Sequence, residues 1–318
     1  MDDLYSIGEM VIDFIPFEAK GERDAVYVRK AGGAPANVAI AVAKSGLRSV
    51  MCCKVGDDDH GRFLLGTLAE HGVRAACPEP CVDAVTTMAF VTLDERGDRR
   101  FTFARKPGAD MMLSESDVRE EDIAGAAIIH AGSCSLSARP ESDATMRALR
   151  LAHDMGKIVS FDVNYRDIMW GGDEDACARA VMAVLPYVDL LKVSDAEVGL
   201  LGGSVALPRL MEEHRIALVV ETLGPRGARA LFDGVEIDVP GHDVRAVDTT
   251  GCGDASWGAF LSGLRLAGVS AASDVSEGIV RDALAHGNAA GALCAQSKGA
   301  IDAIPTRAQI EAWMARGA

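Results

Sequence analysis

Short apolar segments alternate with amphipathic segments along most of the chain. Apolar runs of this length are typical of strands buried on both faces of a sheet, and the segments between them have the periodicity of helices. Strands are predicted at residues 4–10, 50–55, 126–131, 158–163, 190–193 and 217–221. Helices are predicted at residues 35–45, 62–71, 141–155, 173–185 and 205–214. This alternation indicates an α/β fold with a mostly parallel central sheet flanked by helices.

Two early segments, residues 13–30 and 86–105, depart from this alternation. The first contains a short strand at 26–30, and the second is typical of a hairpin whose turn contains Gly97. Apolar and polar residues alternate along 86–93, which suits a sheet with one solvated face. We therefore predict a small β-sheet lid over the carboxyl edge of the main sheet, with extension of the main sheet as the alternative.

The composition is that of a globular protein with few aromatic residues. Hydrophobic residues make up 49% of the 318 residues, charged residues 25% and aromatic residues 5%. The length would allow roughly two domains. Because no repeat, low-complexity stretch or Pro-rich linker divides the sequence, we instead predict a single domain over residues 1–318 with the lid strands inserted in it.

The charge balance limits the partners that the surface can attract. Lys and Arg number 32 against 47 Asp and Glu, so the formal net charge is −15, and it is spread along the chain without an acidic tail. Such a surface does not collect nucleic-acid phosphates or anionic lipids by bulk charge. Any anion that the protein binds must therefore be held by a local site.

The sequence also predicts a cytoplasmic protein outside the membrane. The first residues are acidic where a secretory signal would be basic, and no uncharged run reaches the roughly 18–20 residues of a membrane span. The eight cysteines are sparse and no CxxC pair has metal spacing. We therefore expect reduced thiols rather than bridges or metal ligands at Cys52, Cys53, Cys77, Cys81 and Cys134.

A Gly-rich turn at residues 247–254 leads directly into a helical segment of small and apolar residues. Gly251 and Gly253 let the backbone approach a ligand, and the helix N-terminus adds partial positive charge, so this segment predicts an anion cradle. Asp254 is either a catalytic carboxylate or a residue that caps its own helix. The turn is neither G-x-G-x-x-G nor G-x-x-x-x-G-K-[ST], which argues against a dinucleotide-dependent dehydrogenase and against a P-loop.

Two further polar segments precede helices. Gly32 and Gly33 are followed by a helix with Pro35 near its first position, and Asn37 in the first turn can both donate to and accept from a polyol; a turn with a cap is the alternative. Residues 57–60, Asp-Asp-Asp-His, suggest a metal cluster. Because adjacent side chains on an extended turn diverge, we interpret them as a solvated turn that caps a helix starting at Arg62.

Residues 32–39 and 248–254 resemble the two signatures of the ribokinase-like (PfkB) carbohydrate kinases. The resemblance extends over the whole chain, and the segment 103–110 together with the Ala-Pro-Ala-Asn form of the first signature is most similar to fructokinases. It implies a ribokinase-like α/β fold with a β-lid and an ATP-dependent kinase that phosphorylates a primary hydroxyl, converting D-fructose to fructose 6-phosphate. The alternatives are 2-keto-3-deoxygluconate, a nucleoside or another sugar as substrate, and a non-catalytic sugar or nucleotide sensor.

The resemblance also implies roles for individual residues. Asp254 would be the base, and the amides of Gly251, Cys252 and Gly253 would stabilise the transferring phosphoryl group. The sugar would be held by Asp13, Gly32, Gly33, Asn37, Arg105, Asn164, Arg166 and Asp254. ATP would be bound by Lys192, Ser194, Glu197, Thr222, Gly224, Gly227, Gly253 and Asn288. Arg105 and Arg166 could each instead form surface ion pairs.

Cations and partners complete the expectations that the resemblance carries. Glu197 would support Mg²⁺ through water, although Ser-Asp-Ala-Glu replaces the commoner Asn-x-x-Glu here. A K⁺ site would use the backbone carbonyls of Asp248, Thr250, Cys294 and Gly299. Cys252 replaces a more usual Ala and is either a thiol whose oxidation blocks the cradle or an unreactive small residue. The lid strands would also permit a homodimer.

Overall fold

The computed structural model describes residues 1–19, 25–93 and 99–316. In chain order the strands are β1 (Asp2–Ile7), β2 (Val11–Ala19), β3 (Ala25–Gly32), β4 (Ser49–Cys52), β5 (Arg74–Ala75), β6 (Met88–Leu93), β7 (Arg99–Ala104), β8 (Ala126–Gly132), β9 (Ile158–Asp162), β10 (Leu190–Ser194), β11 (Leu218–Thr222), β12 (Gly227–Phe232) and β13 (Val235–Pro240). The helices are α1 (Ala34–Lys44), α2 (Asp59–Glu70), α3 (Glu120–Ala124), α4 (Glu141–Asp154), α5 (Asp167–Trp170), α6 (Glu174–Val184), α7 (Leu207–His214), α8 (Cys252–Leu266), α9 (Glu277–Cys294), α10 (Ala300–Ala303) and α11 (Arg307–Met314).

The main sheet has nine strands in the order β13-β12-β11-β10-β9-β8-β1-β4-β5. The pairings from β11 to β5 are all parallel, and β12 and β13 add an antiparallel hairpin at one edge. The order of the strands reverses between β1 and β8. In open parallel sheets ligands bind at the carboxyl ends of the strands near such a reversal, so the topology directs attention to this edge.

Helices cover both faces of the main sheet, and the apolar side chains of its strands are buried in a core on each face. Along β1, Leu4 contributes to the core on one face and Tyr5 to the core on the other, as the two-residue repeat of a strand requires. Trp257 and Phe260 of α8 belong to the first core and stack with their ring centroids 4.8 Å apart. The predicted α/β class with a mostly parallel sheet flanked by helices is confirmed.

The second sheet has four strands in the order β3-β2-β6-β7 and is separate from the main sheet. It contains the two segments that depart from the helix–strand alternation, so these strands do not extend the main sheet. Phe14 and Phe90 stack on one of its faces with centroids 4.9 Å apart. The predicted turn around Gly97 lies outside the described residues.

Three predicted boundaries were wrong for local reasons. The strand predicted at 4–10 ends at Ile7, because Gly8 with φ 143° turns the chain toward β2. The helix expected from Arg62 begins at Asp59, since the Asp58 carboxylate caps it by accepting from the Gly61 N–H at 2.7 Å. A short 3-10 turn, Ser204–Ala206, occupies the start of the helix predicted at 205–214.

Two further observations concern membrane-spanning helices and the cysteines. Among the described helices, none combines the length and the apolar character needed to cross a bilayer. All eight cysteines are free thiols, and seven of them are buried.

Candidate active site

The N-terminus of α8, the segment predicted to form an anion cradle, lies near Lys192 of β10 in the main sheet. Gly251 precedes α8 with φ 75°, and a Cβ there would lie 2.7 Å from the Ala300 Cβ, so a larger residue is excluded on both counts. The first N–H groups of an α-helix have no partner within the helix. Of these groups, the Cys252 N–H has a partner outside the helix, because it donates to the Thr249 carbonyl at 3.3 Å. Gly253 and Asp254 follow in the first turn.

Asp254 is buried and is oriented from another helix. Its Oδ2 accepts a hydrogen bond of 2.7 Å from Asn37 Nδ2 in the first turn of α1. The two residues are 217 positions apart in the sequence, and the close packing of α1 against α8 brings them together. The carboxylate thus faces the start of α1, while Asn37 Oδ1 is buried without a protein partner in the described chain. A polar ligand could supply that partner.

Lys192 provides positive charge beside the cradle. It lies in β10 directly opposite Asp162 of β9, and the two buried side chains form an ion pair of 2.6 Å. A Cβ on Gly253 would lie 3.4 Å from the Lys192 Nζ. Burial lowers the pKa of Lys192, but the charges of Asp162 and Asp254 outweigh it and raise the pKa above its ordinary value. The ammonium therefore stays charged next to the turn that is expected to hold phosphate.

Asp162 is the less satisfied partner of this pair. Burial raises its pKa to about 6, and its Oδ1 has no protein partner among the described residues. A buried, half-satisfied carboxylate at the end of a strand is a common feature of functional sites.

Arg166 and Glu197 lie near the same carboxylates. Arg166 is exposed to solvent; partial desolvation of its guanidinium lowers its pKa, but the nearby Cys134, Asp254 and Glu197 raise it overall. Glu197 accepts from the Tyr165 N–H at 2.8 Å and from the Ser194 N–H at 3.0 Å, so it joins the loop after β9 to the end of β10. Each carboxylate oxygen retains acceptor capacity for a metal-bound water.

The predicted sugar side is built around the start of α1. A Cβ on Gly33, whose φ is 112°, would lie 2.5 Å from the Glu9 carbonyl oxygen, so only glycine fits. The Asp13 carboxylate of β2 occupies the space in which a side chain on Gly32 would stand. Asn164, after β9, is buried with a left-handed φ of 36°, a strained conformation that is often found at functional positions.

Arg105 differs from the expectation that its guanidinium reaches the sugar from the lid side. Its side chain is only 9% exposed; Nε donates to Asp110 at 2.7 Å and Nη2 donates to Glu141 at 2.9 Å. Nη1 donates to the Ser137 hydroxyl at 3.3 Å. Its guanidinium is thus paired with the buried carboxyl groups of Asp110 and Glu141. Arg105 forms ion pairs, as the alternative expected, but they are buried and not on the surface. A sugar contact at Arg105 stays a prediction.

Glu9 is a third buried carboxyl group near this cluster. Burial raises its pKa from 4.5 to about 7, its Oε1 accepts from the Ala34 N–H at 3.2 Å, and its Oε2 has no protein partner in the described chain. Burial also raises the pKa of Glu141. Sequence reasoning missed Glu9, Glu141 and Asp162 as site residues. The available signal for Glu9 was a charged residue inside a predicted apolar strand.

Glu9→Gln should change how stability depends on pH. An acid whose pKa is raised by folding binds more protons in the folded state than in the unfolded state. The free energy of unfolding is therefore unaffected by the ionisation of Glu9 below pH 4.5 and falls as the pH rises through 7. The variant lacks that decrease. The free energy of unfolding of the variant, relative to the wild type, should therefore be higher at about pH 8 than at about pH 5, by up to about 3 kcal/mol. Denaturation at the two pH values measures this. An equal difference at both pH values would contradict the buried, protonated state of Glu9.

The predicted nucleotide side lies at the ends of β10 and β11. Thr222 ends β11, and its carbonyl accepts from the Asp195 N–H at 2.9 Å. Gly227 has φ 101° and packs so closely on the Val239 carbonyl that a Cβ would collide with it. Asn288 of α9 donates through Nδ2 to the carbonyls of Val239 at 3.0 Å and Pro240 at 3.1 Å. Both N–H donors of the Asn288 side chain are thus used by the end of β13, so only its side-chain carbonyl oxygen could contact a nucleotide directly.

The four residues of the expected K⁺ site come together behind the cradle. Asp248 is buried and accepts from the Thr250 N–H at 2.9 Å and from the Gly299 N–H at 3.1 Å, which fastens the two segments to each other. The Cys294 thiol donates to the Thr250 carbonyl at 3.9 Å. Backbone carbonyl oxygens are hard ligands that suit an alkali cation, so a K⁺ site at these residues stays a prediction.

Comparisons with known proteins agree with this geometry. The family model described as pfkB family carbohydrate kinase matches residues 1–307. The chain is 40% identical to the probable fructokinase-5 of Arabidopsis thaliana, over 98% of this chain and 97% of that protein. It is 38% identical to fructokinase-1 of Oryza sativa subsp. japonica, over 96% of this chain and 95% of that protein.

Solved structures give the same result. The fructokinase of Xylella fastidiosa with bound ATP superposes with a TM-score of 0.89 at 27% identity, covering 99% of this chain and 98% of that one. The fructokinase of Vibrio cholerae O395 in its fructose-, ADP- and calcium-bound form has a TM-score of 0.87 at 33% identity, covering 98% of this chain and 99% of that one.

Proposed function

Because the chain belongs to the pfkB family of carbohydrate kinases, we propose that it transfers the γ-phosphoryl group of ATP to D-fructose and forms fructose 6-phosphate. The observation that carries this proposal is the buried Asp254 carboxylate, oriented by Asn37 at 2.7 Å in the first turn of the helix that forms the anion cradle. The relatives that are fructokinases support fructose as the substrate.

Asp254 is the base in this proposal. It accepts the proton of the primary hydroxyl while that oxygen attacks the γ-phosphorus, and the Asn37 amide holds the carboxylate in position. Charge on the transferring group is stabilised by the N-terminal turn of α8, where Gly251, Cys252 and Gly253 lie, and by the Lys192 ammonium beside it. The formal net charge of −15 is no obstacle to binding a phosphate, since the binding groups are local.

The remaining sugar contacts come from the start of α1 and from the loop after β9. Asp13, Gly32, Gly33 and Asn37 hold hydroxyl groups from one side, and Asn164 and Arg166 hold them from the other. Arg105 acts by positioning Asp110 and Glu141, because its own charge is already balanced. The balanced charge favours a neutral sugar over a carboxylate such as 2-keto-3-deoxygluconate.

ATP lies along the ends of β10 and β11 in this proposal. It is held by Lys192, Ser194, Glu197, Thr222, Gly224, Gly227, Gly253 and Asn288. When Mg²⁺ is bound it neutralises phosphate charge, and Glu197 supports it through water. The acceptor capacity that Glu197 retains after its two backbone hydrogen bonds fits this role.

A monovalent cation is proposed at the carbonyls of Asp248, Thr250, Cys294 and Gly299. It would add positive charge behind the cradle, so the reaction should be several times faster in K⁺ than in tetramethylammonium at the same ionic strength. The initial rate of ADP release measures this. Equal rates in the two salts would rule out a functional K⁺ site.

The proposed organisation is one catalytic domain over residues 1–318, with the small sheet as a lid, in the cytoplasm. A homodimer through the lid is also proposed, and light scattering at micromolar protein would measure the mass. The mass of a monomer would contradict the dimer, and the apolar residues of the small sheet would then cover the sugar site of the same chain.

A substrate panel tests the proposed function. The rate of ADP release is measured with fructose, glucose, 2-keto-3-deoxygluconate and adenosine at equal concentrations. Fructose should have the highest kcat/KM, by about 10²-fold over the carboxylate sugar. If another sugar or adenosine has a higher kcat/KM, the protein is still a kinase, but fructose is not its preferred substrate.

A further inference from the structure

One face of β9 carries two buried polar residues. Alternate residues of a strand point to the same side, so Ser160 and Asp162 lie on the side of Ile158. Ile158 belongs to the same core as Trp257 of α8. Buried polar groups are costly unless they are hydrogen-bonded. Ser160 contacts α8 directly, and Asp162 reaches it through Lys192.

The Ser160 hydroxyl joins three elements of the fold. Trp257 Nε1 donates to Ser160 Oγ at 2.9 Å, although the two residues are 97 positions apart. His130, directly opposite Ser160 on β8, places its Nδ1 3.0 Å from the same oxygen. Burial lowers the pKa of His130 to about 3, so its imidazole is neutral and can accept the proton of the Ser160 hydroxyl. The indole of α8 is thus tied to both β9 and β8.

Asp162 is linked to the start of the same helix. It pairs with Lys192, whose Nζ lies 3.4 Å from the place where a Cβ on Gly253 would stand. β9 is therefore linked to α8 at two levels, near Gly253 in the first turn and at Trp257 about one turn later. Asp254 lies between the two levels, and it neighbours Trp257 on the helix surface because the two are three residues apart. The hydrogen bond to the indole thus lies about one turn from the carboxylate that is the proposed base.

We propose that Ser160 is a positioning residue for phosphoryl transfer: by holding Trp257 it fixes the rotation of α8 and so aims the Asp254 carboxylate. This inference rests on the proposed role of Asp254 as the base. Without the Ser160 hydroxyl the indole N–H is buried and unpaired, which favours a shift of the ring and of its stacking on Phe260. Such a shift moves the helix turn that carries Asp254, and a displacement of about 1 Å at a reacting group can cost about 10²-fold in rate.

The first test compares Ser160→Ala with a matched control in the full-length protein. Ser160→Ala should lower kcat for fructose by about tenfold or more and change the KM for fructose and for ATP by less than about twofold. Ser262→Ala is the control, because Ser262 is also buried but its hydroxyl donates to the Gly258 carbonyl of its own helix at 2.7 Å. The control should keep the wild-type kcat. Equal losses in the two variants, or a loss confined to KM, would overturn the positioning role.

Combined variants separate positioning from a general effect on the fold. Trp257→Phe removes the donor of the same hydrogen bond, so Ser160→Ala/Trp257→Phe should lose no more kcat than the more affected single variant. In an Asp254→Asn background, Ser160→Ala should lower the residual rate by less than about twofold, because the base whose position matters is gone. Losses that multiply in the first pair, or a loss of full size in the Asp254→Asn background, would contradict the proposal.

A readout that does not need activity separates this inference from the proposed function. The chain contains three asparagines: Asn37, Asn164 and Asn288. NMR of protein with isotope-labelled asparagine therefore shows three side-chain amides, and Asn37→Ser identifies the one that donates to Asp254. That signal should shift in Ser160→Ala and stay in place in Ser262→Ala. An unshifted Asn37 amide in Ser160→Ala would overturn the inference. A shifted one, in a protein whose wild type phosphorylates no fructose, would count against the proposed function alone.

Discussion

Asp254→Asn should lower kcat for fructose by about 10²–10⁴-fold and leave KM nearly unchanged. Asn has the same shape, and its amide oxygen can still accept the hydrogen bond that Asn37 donates. It cannot accept the proton of the attacking hydroxyl. The loss should therefore appear in the chemical step alone. Steady-state ADP release, with melting temperatures to confirm equal folding, measures it.

Asp59→Asn is the matched control for this substitution. Asp59 also lies in the first turn of a helix, but its side chain is 91% exposed and its partner is Arg62. The control should keep the wild-type rate. If Asp254→Asn turns over within a few-fold of the wild type, Asp254 is not the base. If both proteins are inactive while fructose still raises their melting temperatures, the chain is a sensor that retains the fold.

Lys192→Met should lower both the stability and the activity. The substitution leaves the Asp162 carboxylate buried without its partner, a change that costs about 3–5 kcal/mol in other buried pairs. It also removes the ammonium beside Gly253, which should lower kcat by about 10²-fold or more. Chemical denaturation and steady-state kinetics measure the two effects separately.

The double variant Lys192→Met/Asp162→Asn separates the two roles of Lys192. With both charges removed, the stability should recover most of its loss because no uncompensated charge stays buried. The activity should remain low, since the positive charge at the cradle is still missing. Recovery of both stability and activity would mean that Lys192 serves the fold and takes no part in the transfer.

The parts of the fold that could be predicted from the sequence depend on local pattern. The continuously apolar strands indicated a parallel sheet, and the Gly-rich turn before α8 indicated an anion cradle because glycine and a helix N-terminus are local properties. The hydrogen bond between Asn37 and Asp254 forms only when the whole fold has formed. The resemblance to a family implied that both residues serve one site, but it did not predict this contact.

The parts that could not be predicted are contacts between charged side chains distant in the sequence. Arg105 is predicted to contact the sugar from the lid side or to form a surface ion pair, but its partner Glu141 lies 36 positions away and meets it only in the folded chain, where the pair is buried. Asn288 reads as a nucleotide contact, whereas its amide is used by the end of β13. Pairs of this kind depend on how helices pack on the sheet, which hydrophobic periodicity does not encode.

The position of the phosphate on the sugar product distinguishes a fructose 6-kinase from other kinases. The protein is incubated with ATP, Mg²⁺ and fructose, and the product is identified by phosphorus and carbon NMR. We expect fructose 6-phosphate, formed in equal amount to ADP. Phosphate on another hydroxyl, or ADP released without any sugar phosphate, would contradict it.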